Sequence, residues 1–194
     1  MKVTSKNLTK EAFSPFGRVF SAPNHQNQGI VVNQGRGRRY PLIPSFFTAD
    51  ADSRYPAPSL FRIQPSVSSF PLEIMEKHPF SAQLFIPIEV SRYLVVVAGG
   101  TSSPDLSTLK AFIAPGNQGI SYHQGIWHAP LIALDRDSLF FSMLYETGDE
   151  NDTKEVTICT HHIYFETLPS PMNPHSSRSQ TLFPSILGNL DSDR

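Results

Sequence analysis

The chain has 194 residues, a formal net charge of about -1 and a pI near 6.6, and 17% of its residues are charged. This balance excludes the strongly basic proteins that bind nucleic acid or anionic membranes through general charge attraction. A single cysteine, Cys159, excludes an intrachain disulfide and a thiolate metal cluster. No apolar run reaches the roughly 20 residues of a membrane span, and the N-terminus shows no secretory signal, so we expect a cytoplasmic protein.

The first predicted element is a short helical turn over residues 9–13. Thr9 can cap it, and Pro15 and Gly17 stop it. Seventeen prolines and eleven glycines then interrupt the chain at short intervals, which disfavours long helices. We therefore expect few helices, all of them short.

Short runs rich in β-branched and aromatic residues lie between these breaks and predict strands. In chain order they span residues 29–33, 59–64, 83–87, 93–98, 109–114, 131–134, 139–145 and 156–158. The segment 72–77 is ambiguous, because its alternation fits a strand while its propensities fit a helical turn. Eight or so short strands predict an all-β fold, either a barrel or a sandwich.

The composition divides the chain into a body and a tail. We expect a single domain over residues 1–166. The segment 167–194 is rich in proline and serine and shows no periodicity. Its apolar residues Leu182, Phe183, Ile186 and Leu187 could dock on the body or on a partner, and a disordered tail is the alternative.

Rare residues cluster in the stretch YHQGIWH at 122–128, which holds two of the seven histidines and the only tryptophan. Gly125 can form a turn or bulge, with His123 just before it and His128 at the start of a strand over 127–134. That arrangement can direct both imidazoles into one cavity. From spacing alone, a pair of structural histidines fits as well.

A second polar cluster is EKHPFSAQ at 76–83. Glu76 and His78 are two residues apart and share one face of a strand. The turn 79–82 would then let Gln83 open the next strand, so that a hairpin brings the three side chains together. This predicts a metal or substrate site, although such residues are also common at turns.

Together the two clusters resemble the two motifs of cupins, H-x-H-x(3,4)-E on one hairpin and P-x-G-x-x-H on a later strand. Here E-x-H-x4-Q stands in the first frame and H-x-G-x-x-H in the second. The resemblance implies a cupin-like jelly-roll β-barrel with few short helices. Its metal ligands would be Glu76, His78, Gln83 and His128, although glutamate, glutamine and His123 stand where cupins have histidine, glutamate and proline.

Longer runs resemble one specific family. HPFSAQLFIPI at 78–88, PDLSTLKAFIAPGNQGISYHQGIWHAPLIAL at 104–134 and KEAFSPFGRVF at 10–20 resemble the ureidoglycolate lyase family of allantoin breakdown. The resemblance implies a cupin-like lyase, usually a homodimer, that splits ureidoglycolate into glyoxylate and urea. It also implies a divalent metal, and imidazole, carboxylate and amide ligands suit Ni, Zn or Mn.

The implied elimination needs a group that accepts the hydroxyl proton and one that protonates the departing urea nitrogen. His123 and His128 are the first candidates, because the pKa of histidine lies near neutrality. Lys110 is a further candidate, either as a base in a desolvated position or as a partner for an anion. A surface lysine is the alternative.

The substrate carboxylate calls for a cation, and the planar guanidinium of arginine suits it. Arg39 and Tyr40 match the family pattern N-x-G-x-x-x-R-Y, and Arg62 matches a family arginine. Gln83 is a further candidate for substrate binding. Trp127 either packs beside the site or donates its indole N–H to the substrate.

Two other functions fit the same residues. The histidines and arginines could serve a non-catalytic barrel that binds a small carboxylate as a sensor or scaffold. A metal-dependent dioxygenase or isomerase of the cupin fold is a weaker alternative, because those chemistries need a strong ligand triad.

Overall fold

The computed structural model describes residues 2–23, 29–42, 54–66 and 69–164. The elements in chain order are β1 (Lys2–Thr4), β2 (Lys6–Asn7), α1 (Lys10–Phe13), β3 (Gly17–Ser21), β4 (Ile30–Val32), β5 (Gly37–Arg39), β6 (Tyr55–Ile63), β7 (Ser69–Lys77), β8 (Gln83–Glu89), β9 (Arg92–Gly99), β10 (Asp105–Pro115), β11 (Gln118–Tyr122), β12 (Trp127–His128), β13 (Ile132–Leu134), β14 (Ser138–Glu146) and β15 (Lys154–Tyr164). A short 3-10 turn joins β4 and β5.

These strands form two facing sheets and one small one. The larger sheet has the order β1-β15-β7-β12-β9-β10-β2, with β13 paired to β9. The second sheet has the order β3-β11-β8-β14-β6, and β4 and β5 form a two-stranded sheet of their own among the described strands. Only Ser5 separates β1 from β2, so one N-terminal segment reaches both edges of the larger sheet. The predicted all-β fold with few short helices is confirmed, and the two larger sheets are those expected of a jelly-roll.

Two apolar clusters form the core. One lies between the two sheets, where for example the rings of Tyr93 and Phe140 meet edge to face at 5.2 Å. The other is built within the curled larger sheet and contains Leu72, Met75 and Trp127. Strand β9 is therefore buried on both faces, which agrees with its continuous apolar sequence LVVVA.

The local predictions agree with these elements. Thr9 caps α1 by accepting a hydrogen bond from the backbone N–H of Ala12 at 3.1 Å. Each of the eight predicted strands overlaps an observed strand, and the ambiguous segment 72–77 belongs to β7. The strands β1, β2, β3, β5 and β11 had no predicted counterpart. They are at most five residues long, which leaves little room for a recognisable alternation.

Two predictions about chain path were wrong. The expected strand 127–134 is interrupted, because β12 ends at His128 and β13 begins at Ile132. Pro130 lies in the gap and has no N–H to donate to a ladder. The expected hairpin over 76–83 is also absent, since β7 lies in the larger sheet and β8 in the second sheet.

The tail segment 167–194 lies outside the described residues, and its docking stays a prediction. Within the described residues, no helix is long and apolar enough to cross a membrane.

Candidate active site

Three side chains with metal-ligating atoms meet at the edge of the space between the two sheets. They are Glu76, His78 and His128, whose ligand atoms all lie within 4.8 Å of one another. His128 pairs directly with Glu76 in the antiparallel ladder between β12 and β7. Side chains of directly paired residues share a face, so the strand register itself brings the carboxylate and the imidazole together.

Two segments that cross from one sheet to the other hold these residues in place. The first follows β7 and contains His78, and the second joins β11 to β12. The backbone N–H of Gly125 donates to the carbonyl of His78 at 2.9 Å, and the Gln124 amide donates to the carbonyl of Pro79 at 3.0 Å. Gly125 has a φ of +74°, a left-handed conformation that favours glycine. The turn predicted at this glycine is therefore confirmed.

Backbone carbonyls orient both imidazole rings. Nδ1 of His78 lies 3.2 Å from the carbonyl oxygen of Asp152, and Nδ1 of His128 lies 2.9 Å from that of Ile126. A carbonyl can only accept a hydrogen bond, so each Nδ1 carries the proton. Each Nε2 then presents a lone pair.

The free atoms of the site are all acceptors. Among the described residues, Nε2 of His78, Nε2 of His128 and Oε1 of Gln83 are buried without a hydrogen-bond partner. Oε1 of Glu76 lies 3.4 Å from Nε2 of His128, a distance that allows an ion pair only when His128 is protonated. Buried acceptors that face one another are costly unless a cation lies between them. Two imidazoles, a carboxylate and an amide oxygen therefore fit a divalent cation.

The pKa shifts of Glu76 and His78 agree with a metal-binding arrangement. Burial raises the pKa of the Glu76 carboxyl, but its interactions with His128 and His78 outweigh burial and hold that pKa below its ordinary value. Burial lowers the pKa of His78, and the neighbouring His128 lowers it further. Glu76 is thus an anion and His78 a neutral base near pH 7, the forms that bind a metal.

Tyr122 supports the site from the second sheet and was not predicted. Its ring stacks on that of His128, with centroids 4.1 Å apart and planes at 16°. It is 3% exposed, and burial raises the pKa of its hydroxyl well above the ordinary value, so the ring stays neutral. Tyr122 could have been predicted from its position next to His123 in the motif YHQGIWH.

Lys110 lies on the same face of the larger sheet as the ligands. Val97 of β9 pairs with both Lys110 and His128, so these three residues and Glu76 form one row across four strands. The Lys110 side chain is exposed, and its Nζ lies 5.3 Å from the centre of the Phe16 ring. At about 4.8 Å between strands, Lys110 is two strands from His128, roughly 10 Å.

His123 and Gln83 also lie at this end of the fold. His123 is half-buried at the start of the turn, and its backbone N–H donates to the carbonyl of Phe16 at 2.9 Å. Gln83 is 4% exposed and pairs with Tyr122 in the second sheet. The structure therefore pairs Gln83 with the tyrosine that stacks on His128, and a site role for the His123 side chain stays a prediction.

Trp127 and Arg62 lie on other faces. Trp127 directly precedes His128 in β12 and packs into the cluster with Leu72 and Met75. This contact agrees with the alternative that Trp127 packs beside the site. Arg62 is exposed on β6, next to Phe61, whose ring contacts the buried Phe85 at 6.0 Å. Alternation along the strand directs Arg62 to the opposite face. A substrate role for either residue stays a prediction.

Arg39 and Tyr40 belong to the small sheet. Arg39 is exposed at the end of β5, where it pairs with Ile30, and Tyr40 is half-buried directly after it. Among the described elements, β4 and β5 contact chiefly each other and the 3-10 turn between them. Substrate binding by Arg39 and Tyr40 therefore also stays a prediction.

Comparisons with known proteins point to one family. A sequence model described as Ureidoglycolate lyase matches residues 1–164. A ureidoglycolate lyase of Burkholderia cepacia is 37% identical over 164 residues, covering 83% of this chain and 89% of that protein. One of Escherichia coli is 35% identical over 156 residues, covering 80% and 95%. Among solved structures, the 3'-monoepimerase ChmJ from Streptomyces bikiniensis in complex with dTDP-quinovose is 13% identical with a TM-score of 0.45, covering 72% of this chain and 69% of that chain.

Proposed function

The chain belongs to the ureidoglycolate lyase family, and we propose that it cleaves ureidoglycolate to glyoxylate and urea. The observation that carries this proposal beyond family membership is the convergence of Glu76, His78 and His128 beside Gln83. These groups offer a proton acceptor, which the elimination requires, next to a carboxylate that can stabilise the protonated base.

The reaction breaks two bonds and consumes no water. A base takes the proton of the hydroxyl group, and the electron pair of that O–H bond forms the carbonyl of glyoxylate. The C–N bond breaks with its electrons on nitrogen, and an acid protonates that nitrogen to complete urea. Two groups with pKa values near neutrality suffice for both transfers.

His128 is the proposed base. Its Nε2 is free to accept a proton, because the carbonyl of Ile126 holds its Nδ1 at 2.9 Å. Glu76 Oε1, 3.4 Å from that Nε2, would stabilise the imidazolium that results. His123, half-buried in the turn between β11 and β12, is the proposed donor of the proton to the urea nitrogen.

A divalent metal such as Ni, Zn or Mn would be held by Glu76, His78 and Gln83. His128 would be a further ligand if it does not act as the base. When bound, such a cation polarises the hydroxyl and carboxylate oxygens of a substrate. His78 is proposed only as a ligand, because burial lowers its pKa and so makes its ring a weak proton acceptor.

Lys110 is the proposed partner of the substrate carboxylate. Its exposed position in the same row as His128, on the same face of the larger sheet, supports this proposal. Lys110→Met should then raise KM for ureidoglycolate several-fold with a smaller change in kcat. Equal KM values for the wild type and the variant would exclude this role. Arg39 or Arg62 would then be the proposed partner of the substrate carboxylate.

A coupled glyoxylate assay on the purified protein tests the central proposal. Urea should form in equal amount to glyoxylate, without ammonia, and His128→Ala should lose turnover while its circular dichroism spectrum is unchanged. Ammonia as a stoichiometric product would indicate an amidohydrolase, and ureidoglycolate binding without turnover would indicate the non-catalytic carboxylate binder. Chelation separates the two roles of His128: full activity without metal supports the base, and loss restored by Ni, Zn or Mn supports the ligand.

The setting of this reaction is also proposed. Ureidoglycolate connects the protein to allantoin and purine breakdown, and we expect a homodimer in the cytoplasm, as the family resemblance implies. Light scattering on the purified protein measures the mass of the assembly, and a single 21.6 kDa species would exclude the dimer.

A further inference from the structure

One buried carboxylate organises the turn between β14 and β15. Asp152 is 8% exposed and accepts hydrogen bonds from the backbone N–H groups of Thr147, Gly148 and Asp149 at 2.6 to 3.1 Å. The Thr147 hydroxyl donates to the same group at 3.1 Å. Gly148 has a φ of +85°, which lets the backbone bend around the carboxylate. The side chain of Asp152 thus fixes the path of residues 147–152.

The backbone of the same residue faces the active site. The carbonyl oxygen of Asp152 and the hydroxyl oxygen of Thr153 each lie 3.2 Å from Nδ1 of His78, which precedes Asp152 by 74 positions in the chain. The side chain and the carbonyl belong to one residue, so the hydrogen bonds that hold the carboxylate also set the position of the carbonyl.

We propose that Asp152 is a positioning residue of the active site. Its carboxylate anchors the turn so that its own carbonyl keeps the proton of His78 on Nδ1 and leaves Nε2 as an acceptor. In proteins, such partners of a ligating histidine fix its tautomer and its orientation. The effect on turnover rests on the proposed function, whereas the effect on the His78 ring does not.

A purely structural role for the turn makes a different prediction. If Asp152 only stabilised the link between β14 and β15, its removal would lower the melting temperature and leave the His78 ring unchanged. Positioning instead predicts that Nδ1 loses its fixed acceptor and that the two neutral tautomers become mixed. The ring itself is therefore the informative readout.

The experiment compares Asp152→Asn with Glu150→Gln, which makes the same carboxylate-to-amide change at an exposed residue of the same turn. Asparagine cannot accept the four donors without turning its own N–H groups toward some of them. Nitrogen-15 NMR of ring-labelled, chelator-treated protein reports which nitrogen of His78 is protonated. Calorimetric titration with Zn²⁺ reports the affinity of the site.

We expect one Nδ1–H form of His78 in the wild type and in E150Q, and averaged nitrogen shifts in D152N. Zn²⁺ affinity and kcat/KM should fall about 10- to 100-fold in D152N alone. A single Nδ1–H form in folded D152N would overturn the proposal. If D152N does not fold, Thr147→Val removes only the hydroxyl donor, and an unchanged tautomer with unchanged Zn²⁺ affinity in T147V would overturn it instead.

The outcomes also separate the two proposals. Wild-type protein that does not cleave ureidoglycolate, together with mixed tautomers in D152N, refutes the lyase and supports the positioning role. Turnover in the wild type with one unchanged tautomer in D152N refutes the positioning role alone.

Discussion

Glu76 is the only carboxylate among the converging ligands, and its replacement by glutamine tests the electrostatic account of the site. Glu76→Gln keeps the shape of the side chain and an acceptor oxygen but removes the negative charge. The metal affinity and the stabilisation of a protonated His128 should both fall. The folded protein without metal should be nearly unaffected, because the new amide N–H can donate to Nε2 of His128, which lacks a donor.

The structure sets the size of the effect. A unit positive charge 3.4 Å from the carboxylate is stabilised by about 5 kcal/mol at an effective dielectric constant near 20. The Glu76 side chain is 20% exposed, so water screens part of this attraction. We expect about 2 to 3 kcal/mol to be lost, the range of hydrogen bonds to charged groups. This corresponds to a decrease of about 30- to 150-fold in kcat/KM.

The assay measures glyoxylate formation at several ureidoglycolate concentrations, and calorimetry gives the dissociation constant of Zn²⁺. Glu73→Gln is the matched control, since Glu73 is exposed on the same strand. Its kcat/KM should stay within about twofold of the wild type, as is usual for surface substitutions. Equal kcat/KM and equal Zn²⁺ affinity in E76Q and E73Q would refute the electrostatic account.

Two further substitutions test the scaffold. Tyr122→Leu should lower the free energy of unfolding by about 2 to 4 kcal/mol in urea denaturation, because it leaves a cavity and removes the stack on His128; a loss below 1 kcal/mol would contradict the packing account. Gly125→Ala should cost about 1 kcal/mol of stability through its φ of +74°, since no atom lies within 4 Å of the added methyl group. If G125A is as stable as the wild type, the left-handed turn is not required.

Local features of the chain could be predicted from the sequence because they depend on residues that are close together in the chain. The cap at Thr9 needs only a hydroxyl oxygen three residues before an N–H group. The buried strand β9 follows from an unbroken apolar run, and Gly125 marks a turn because glycine tolerates a positive φ. The two polar clusters that form the site were likewise visible as short motifs.

Other parts of the site depend on contacts between distant segments. That Glu76 meets His128 follows from the register of β7 against β12, which local patterns do not encode. The expected hairpin over 76–83 was wrong because hydrophobic packing assigns β7 and β8 to different sheets.

The sequence by itself determined the all-β class, the short cap and the two motifs, since each depends on neighbours within a few residues. Only the tertiary structure decided how the imidazole of His78 is oriented. Asp152 lies 74 residues from His78, and no spacing rule links a backbone carbonyl to a ring at that distance. The stack of Tyr122 on His128 likewise arises where two sheets pack together. Packing of the two sheets, which is the sum of many weak contacts, therefore brings the residues of the two motifs together in one site.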